Sequence, residues 1–193
     1  MMQKGFESEV FDSQAVFRSL LLAMAHPGTI ASTDINISSP GRIALGAGAL
    51  LLTLLDFETV LWADLDPDTP EMQWLHFHTG TRLTHAPETA GFALFTDGEK
   101  MLDPGRCNPG TAASPDKSTT LVIQTRGMDQ EPQLRLTGPG IQTDTFIHLP
   151  GISTAFWKNR AMVNQAYPAG IDMVFVHGRR FAALPRTTKV TVC

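Results

Sequence analysis

The segment Tyr167–Val192 reads YPAGIDMVFVHGRRFAALPRTTKVTV, and the fold turns on how it is read. It predicts a turn, a buried strand, a turn, a second strand, a turn and a third strand. Met173-Val174-Phe175-Val176 is short, apolar and β-branched, the pattern of a core strand. Asp172, Arg179, Arg180 and Arg186 lie within a few residues of that strand. Unpaired buried charge costs several kcal/mol. These groups are therefore satisfied inside the chain or by something that binds to it.

Working outward, Ser153–Gln165 predicts a helix capped by Ser153 and carrying Phe156, Trp157 and Val163 on its apolar side. Leu134–Thr137 alternates as a strand, and Gly138-Pro139-Gly140 follows as a tight turn. Thr119–Thr125 is the clearest strand, with Leu121-Val122-Ile123 at its centre. Gly91–Phe95 and Thr59–Ala63 are shorter strands. Pro104–Lys117 is rich in Gly and Pro and predicts a loop, and Asp97–Asp103 predicts one or two helical turns. Near the N-terminus, Val16, Phe17, Leu20, Leu21 and Met24 recur at helical spacing. They predict a helix over Asp12–Ala25, capped by Asp12 or Ser13 and stopped by His26-Pro27-Gly28. A second helix is expected from Ser39-Pro40 through Arg42 to Leu55. Its Gly46 and Gly48 each weaken it by roughly 1 kcal/mol, which implies close packing against a neighbour. A third starts at Thr69-Pro70 and ends at Gly80. Helices alternating with short strands predict a mixed sheet with helices on its faces, an α/β or α+β layered domain. Residues 1–193 read as one domain, since no stretch is biased enough to be a linker.

The totals exclude several classes of function. A formal charge of -4 gives no general basic field and argues against nucleic acid as a main partner. The N-terminus MMQKGFESEVFDSQ lacks a secretory pattern. The most apolar segment, Ile43–Leu55, is shorter than the about 20 residues of a spanning helix. Cys107 and Cys193 predict two free thiols in a reducing cytoplasm.

The residues offer no catalytic constellation. His76 and His78 flank Phe77, but on a helix residues two apart diverge, so capping of the helix end is favoured over metal binding. Gly138-Pro139-Gly140 could form an anion nest, yet Pro139 removes the middle donor. No G-x-S-x-G elbow is present. None of Lys4, Lys100, Lys117, Lys158 and Lys189 stands at a strand end in an apolar pocket as a Schiff-base lysine would. Arg186, between Pro185 and the hydroxyls of Thr187 and Thr188, is the best candidate for anion contact, with an ion pair to Asp172 as the alternative. The candidate anion set is thus Arg186, Thr187, Gly138 and Gly140, with no metal ligand assigned.

A series of short motifs carries a resemblance. They are Gln14-Ala15-Val16-Phe17-Arg18, Ala23-Met24-Ala25 with Pro27-Gly28, Leu50–Asp56, Leu61-Trp62 and Phe77–Gly80. Ser118–Val122, Leu136–Ile141, Phe156-Trp157 with Arg160, Pro168–Asp172 and Leu184–Thr188 complete the series. In this order and spacing, over nearly the full length, the chain resembles the H-subunit (PhnH) family of the bacterial carbon–phosphorus lyase system. It departs at Ser118-Thr119-Thr120, where that family usually reads Ser-Ala-Thr. The resemblance implies a three-layer α/β/α sandwich, a reduced version of the pyridoxal-phosphate-dependent transferase fold without its cofactor. It implies a homodimer working with the G, I and J subunits. With the ATPase-like L subunit, that system exchanges the adenine of ATP for a phosphonate, giving a ribose 1-phosphonate 5-triphosphate, and the J subunit later cleaves the C–P bond by radical chemistry. No catalytic residue or cofactor is implied for this chain. A structural role for Arg186 and Asp172 becomes the favoured reading.

Overall fold

The computed structural model describes residues 3–101 and 103–193. Met1 and Met2, at the head of the expected N-terminal stretch, and Leu102, inside the expected Asp97–Asp103 turn, lie outside the described residues. The elements follow in the order α1 (Glu9–Ala25), β1 (Ala31–Ser32), α2 (Leu45–Leu54), β2 (Val60–Ala63), α3 (Pro70–Thr79), β3 (Arg82–Leu83) and β4 (Phe92–Phe95). They continue with β5 (Thr120–Gln124), β6 (Asp129–Thr137), β7 (Thr145–His148), α4 (Thr154–Val163), β8 (Asp172–His177), β9 (Arg180–Leu184) and β10 (Lys189–Val192). Seven strands form one mixed sheet in the order β1-β9-β8-β5-β4-β2-β3, and β10-β6-β7 form a second, antiparallel sheet. The mixed α/β architecture expected from the alternation of elements is therefore present.

The large sheet has a hydrophobic core on each face, and side-chain alternation divides its strands between them. Met173 and Phe175 of β8, Leu121 and Ile123 of β5, and Ala182 and Leu184 of β9 enter one core with Phe156 and Trp157 of α4 and Leu134, Leu136 and Ile147 of the small sheet. Val174, Val176, Val122, Phe181 and Ala183 enter the other with Val16 and Leu20 of α1, Leu50 and Leu51 of α2, and Trp74 of α3. Both faces of β8 are thus covered, which is why its sequence is an apolar run. Parallel pairing runs from β8 through β5, β4 and β2 to β3, and β9 turns back antiparallel on β8 through a hairpin whose Gly178 has φ +60.

Several expected boundaries move, each for a physical reason. α2 begins at Leu45 rather than at Ser39-Pro40, because Gly41 takes φ +48 and the Glu71 carboxylate occupies the adjacent space. Residues 40–43 form a separate turn closed by Ile43 N donating to Pro40 O. α1 begins three residues before Asp12. Asp12 does not cap from the first position but accepts, through Oδ2, the backbone N–H groups of Glu7 and Ser8. β6 is longer than Leu134–Thr137 because it continues past an irregularity to Asp129. β1, β3 and β7 were not anticipated. Two 3-10 turns, Pro104–Arg106 and Pro115–Lys117, interrupt the expected loop. The predicted ends of α3 hold, with Pro70 in its first turn and Gly80 left-handed at its end. Ser153 caps α4, its side chain accepting from Phe156 N. Gly46 and Gly48 pack closely as expected: a Cβ at Gly46 would lie 3.0 Å from Gly178 O, and one at Gly48 3.1 Å from Ser39 Cβ.

The apolar stripe expected on α1 is split. Val16, Leu20 and Ala23 are buried, but Val10, Phe11, Phe17, Leu21 and Leu22 are exposed on the other side of the helix. Among the described residues, no helix is long and apolar enough to cross a membrane.

Gly140 and Gly178 give a paired test. Both have positive φ, but a Cβ at Gly140 would collide with the Ala25 carbonyl at the end of α1, whereas one at Gly178 meets nothing within 4 Å. Gly178→Ala is expected to cost about 1–2 kcal/mol, the left-handed strain alone. Gly140→Ala is expected to cost about 2–5 kcal/mol by adding overpacking. Urea denaturation of the two variants measures the difference.

Candidate functional site

The five residues Leu184–Thr188 carry the chain from the large sheet into the small one. Two arginines grip them. Arg186 folds back on β8: its backbone N donates to Asp172 Oδ1 at 2.7 Å, Nη2 to Asp172 Oδ2 at 2.6 Å and Nε to both carboxylate oxygens at 3.2–3.3 Å. Nη2 also donates to Ser118 Oγ at 2.6 Å, and Nη1 to the carbonyls of Pro115 and Pro168 at 3.0 and 3.1 Å. All five N–H groups of its guanidinium therefore have acceptors within this chain. Arg186 pairs internally with Asp172, and the pair is largely buried.

Arg160, on the last turn of α4, reaches the same segment from the opposite side. Its Nη1 donates to Thr188 O at 2.9 Å and its Nη2 to Pro185 O at 2.8 Å. The residue is 2% exposed, and no carboxylate lies within 4 Å of it among the described residues. Burial pulls its pKa down to about 10, against the attraction of Asp172, so it stays charged at neutral pH. Its Nε and the Oγ1 of buried Thr188 have no hydrogen-bond partner among the described residues. Sequence reading named Arg160 only as part of a motif, because its acceptors are backbone carbonyls 24 to 28 residues away.

Arg160, Arg186, Thr187, Thr188 and Lys189 line one cavity of about 540 Å³, with Pro139 on its wall. Of the predicted anion set, the structure brings Arg186 and Thr187 to this cavity. Gly138 packs beside them: a Cβ there would lie 2.9 Å from Thr187 O. Gly140 instead packs against the end of α1.

A second cleft, of about 310 Å³, opens at the carboxyl ends of β2 and β4. The chain leaves β2 for β3 on one side and returns to β4 on the other. The cleft is thus a topological switch point, the usual ligand position in such sheets. Trp62 and Phe95 form its apolar wall, with ring centroids 5.1 Å apart. Asp64 is fixed there by Thr96, whose backbone N and Oγ1 both donate to Oδ1 at 2.9 Å. Arg42, Lys100 and Arg106 share the lining with Asp64 and Asp103, so cations and acids offset one another. Gln124, at the end of β5, ties the neighbouring loops by accepting from Ala44 N at 2.6 Å and donating to Arg42 O and Thr96 O. Burial of Glu71 would raise its pKa, but the N–H of Arg42 and its own N–H, with the Arg42 charge, hold the carboxyl below its usual range. Sequence reading missed this cleft, since its residues come from four separate segments of strand and loop.

The histidine pair lies on α3 as expected. His76 Nδ1 meets Thr81 O at 2.8 Å just beyond the helix end, and His78 Nε2 meets Gln3 O at 3.0 Å. Among the described residues, Asp129, Glu131 and His148 bring three potential ligand atoms within 4.8 Å of one another. Their bonding is internal: Asp129 accepts from Glu131 N, which with His148 holds its carboxyl below the usual range. Both cysteines are free. Cys107 is buried in the wall of the second cleft, and that burial pushes its thiol up to about 11.

Comparison with known proteins adds three findings. A family model described as bacterial phosphonate metabolism protein (PhnH) matches residues 4–191. The α-D-ribose 1-methylphosphonate 5-triphosphate synthase subunit PhnH of Rhizobium meliloti (strain 1021) is 34% identical over 189 residues, covering 96% of this chain and 94% of that protein. The putative C-P lyase subunit protein HtxG of Stutzerimonas stutzeri is 32% identical over 184 residues, covering 93% of this chain and 86% of that protein.

Two outcomes check this geometry. Asp172→Ala strands the Arg186 charge and is expected to cost about 3–5 kcal/mol in chemical denaturation, while Asp172→Ala combined with Arg186→Met recovers most of the loss. At pH 8 a disulfide-exchange reagent is expected to titrate Cys193 alone, with Cys107 reacting only in denaturant. Because the Cys107 pKa is raised from 9.0 to about 11 on folding, its stabilising contribution is present below pH 9 and lost as pH rises through 11. Cys107→Ala should flatten that part of the alkaline stability curve.

Proposed function

The chain belongs to the PhnH family of bacterial phosphonate metabolism proteins, and from that premise we propose that it is a subunit of a carbon–phosphorus lyase complex in phosphonate catabolism. In this reading it supports transfer of the ribose triphosphate of ATP to a phosphonate, with the G, I and L subunits, and its own part is structural. It forms a homodimer and binds the G, I and J subunits in the cytoplasm. Residues 1–193 act as one domain, a reduced relative of the three-layer pyridoxal-phosphate-dependent transferase fold.

The observation that carries an assembly role is the exposed apolar side of α1. Val10 and Phe11 are 73% and 72% exposed; Phe17 and Leu21, four residues apart and so one turn above each other, are exposed with Val10 on one face, and Phe11 and Leu22 are exposed on a neighbouring one. A helix apolar on opposite sides has one side that its own domain does not cover, and contiguous exposed apolar surface marks protein contacts. The cofactor-free reading is supported by Lys100: of the five lysines it alone lines the cleft at the sheet's carboxyl edge, and there it is exposed and paired with Asp97 at 3.3 Å.

Phe17→Asp with Leu21→Asp faces solvent in the free chain and is expected to leave folding intact. In sedimentation at micromolar concentration the wild type should run as a dimer and the variant as a monomer. The wild type, used as bait, should capture the G, I and J subunits, and its deletion should abolish growth on a phosphonate as sole phosphorus source. Growth unaffected by the deletion would refute the assigned role.

A further inference from the structure

We propose that the cleft at the carboxyl ends of β2 and β4 binds a small zwitterion, its alkylammonium group held by Trp62, Phe95 and Asp64 and its acidic group met by Arg106. The site stands on geometry, and on the phosphonate reading only for one choice of probe. The parallel register sets Trp62 beside Ala93 and Ala63 beside Leu94. Asp64 N donates to Leu94 O at 3.1 Å, so the pairing runs on and brings Asp64 next to Phe95. Trp62 and Asp64 are two apart on one strand and project from the same face of the sheet, the face that also carries Phe95. All three line the cleft, and each is only half-buried, so their side chains keep accessible surface there.

Asp64 sets the class of ligand. Thr96 fixes it, the backbone N donating to its two oxygens at 2.9 and 3.0 Å and Oγ1 donating to Oδ1 at 2.9 Å. Both donors are neutral, and no cationic side chain lies within 4 Å of Asp64 among the described residues. Partial burial of a carboxylate without a counter-charge is costly. A carboxylate offers about four acceptor positions, so Asp64 has capacity for a further, charged donor. Beside it stand the rings of Trp62 and Phe95, with centroids 5.1 Å apart and planes tilted by 50°. Aromatic faces attract cations, alkylammonium groups among them, and a carboxylate next to two rings recognises that chemistry. Three cations share the lining, so a bare amine is disfavoured. Arg42 is paired with Glu71 at 3.7 Å and Lys100 with Asp97 at 3.3 Å. Arg106, exposed at the rim, forms no ion pair among the described residues. A ligand with its positive end on the aromatic wall and its negative end on Arg106 answers both unpaired charges. The volume of about 310 Å³ is at the small end of ligand pockets, which restricts the ligand to a compact molecule.

The test is calorimetry and tryptophan fluorescence of the intact chain, at fixed ionic strength, with four probes. 2-Aminoethylphosphonate and β-alanine carry both ends, ethylphosphonate only the acid and ethylamine only the ammonium group. Saturable binding of a zwitterion is expected, with a change in the emission of Trp62, since Trp74 and Trp157 are buried. Each single-ended probe should bind about tenfold more weakly or worse, the loss of a hydrogen bond to a charged group. Tighter binding of 2-aminoethylphosphonate than of β-alanine assigns the acidic end to a phosphonate, the reverse assigns it to a carboxylate, and equal binding shows that the site reads the zwitterion itself. Asp64→Asn keeps an acceptor for Thr96 N but removes the charge. It should weaken zwitterion binding about tenfold or more and leave ethylphosphonate binding undiminished. Arg106→Gln, at an exposed position, should leave the melting temperature unchanged and weaken the zwitterions and ethylphosphonate but not ethylamine. That variant keeps the test decisive if Asp64→Asn does not melt cooperatively. Ethylphosphonate binding as tightly as the zwitterions would overturn the proposal, as would unchanged zwitterion affinity in either folded variant or failure of every probe to bind. Capture of the other subunits by the wild type is scored separately, so the subunit role can survive the loss of this site.

Discussion

Leu184–Thr188 is held from two sides, and the rest of the molecule is arranged around that grip. Arg186 ties the segment to Asp172 at the start of β8, to Ser118 before β5 and to the Pro168 carbonyl. Arg160 ties the same segment to α4. Residues 115–118 and 160–172 therefore meet at one short turn, residues 184–188. The turn also passes the chain from the large sheet to the small one, since β9 pairs with β8 and β10 pairs with β6. The core shared by α4, the small sheet and one face of the large sheet is closed by this joint. A charged pair of this kind adds little net stability over apolar residues, but breaking it is costly. Its contribution is to fix one arrangement of the two sheets.

The same residues line the cavity on one side of this joint. An arginine whose terminal nitrogens are occupied by carbonyls is oriented, and its remaining donor has a fixed position. Asp172 acts on both arginines: it pairs directly with Arg186, and its charge attracts Arg160 from beyond contact distance.

Local patterns in the sequence predicted what local forces determine. The apolar run Met173–Val176 is a strand because both of its faces are covered. Thr69-Pro70 and Gly80 bound α3 because capping and left-handed geometry act within a turn. The start of α2 was not legible, because Glu71, 29 residues further on, fills the space beside Gly41 and accepts from Arg42 N. β1 and β3 are two residues long, too short to leave a period. The helical stripe on α1 was visible, but its division into a buried and an exposed side was not, since Phe17 and Leu21 are as apolar as Val16 and Leu20. Of the candidate site, Arg186 and Thr187 were found through their place beside proline and hydroxyls. Arg160 was not, because a side chain that bonds only to backbone carbonyls leaves no complementary residue to notice.

The two outermost strands of the large sheet, β1 at Ala31–Ser32 and β3 at Arg82–Leu83, have a further consequence. A strand of two residues offers almost no row of free N–H and C=O groups, and short edge strands are a common defence against pairing with another chain. The large sheet is thereby closed to lateral growth. Copies or partners meeting this part of the molecule must do so through side chains packed on helix surfaces, so recognition is read from the shape of those surfaces rather than from a shared backbone ladder.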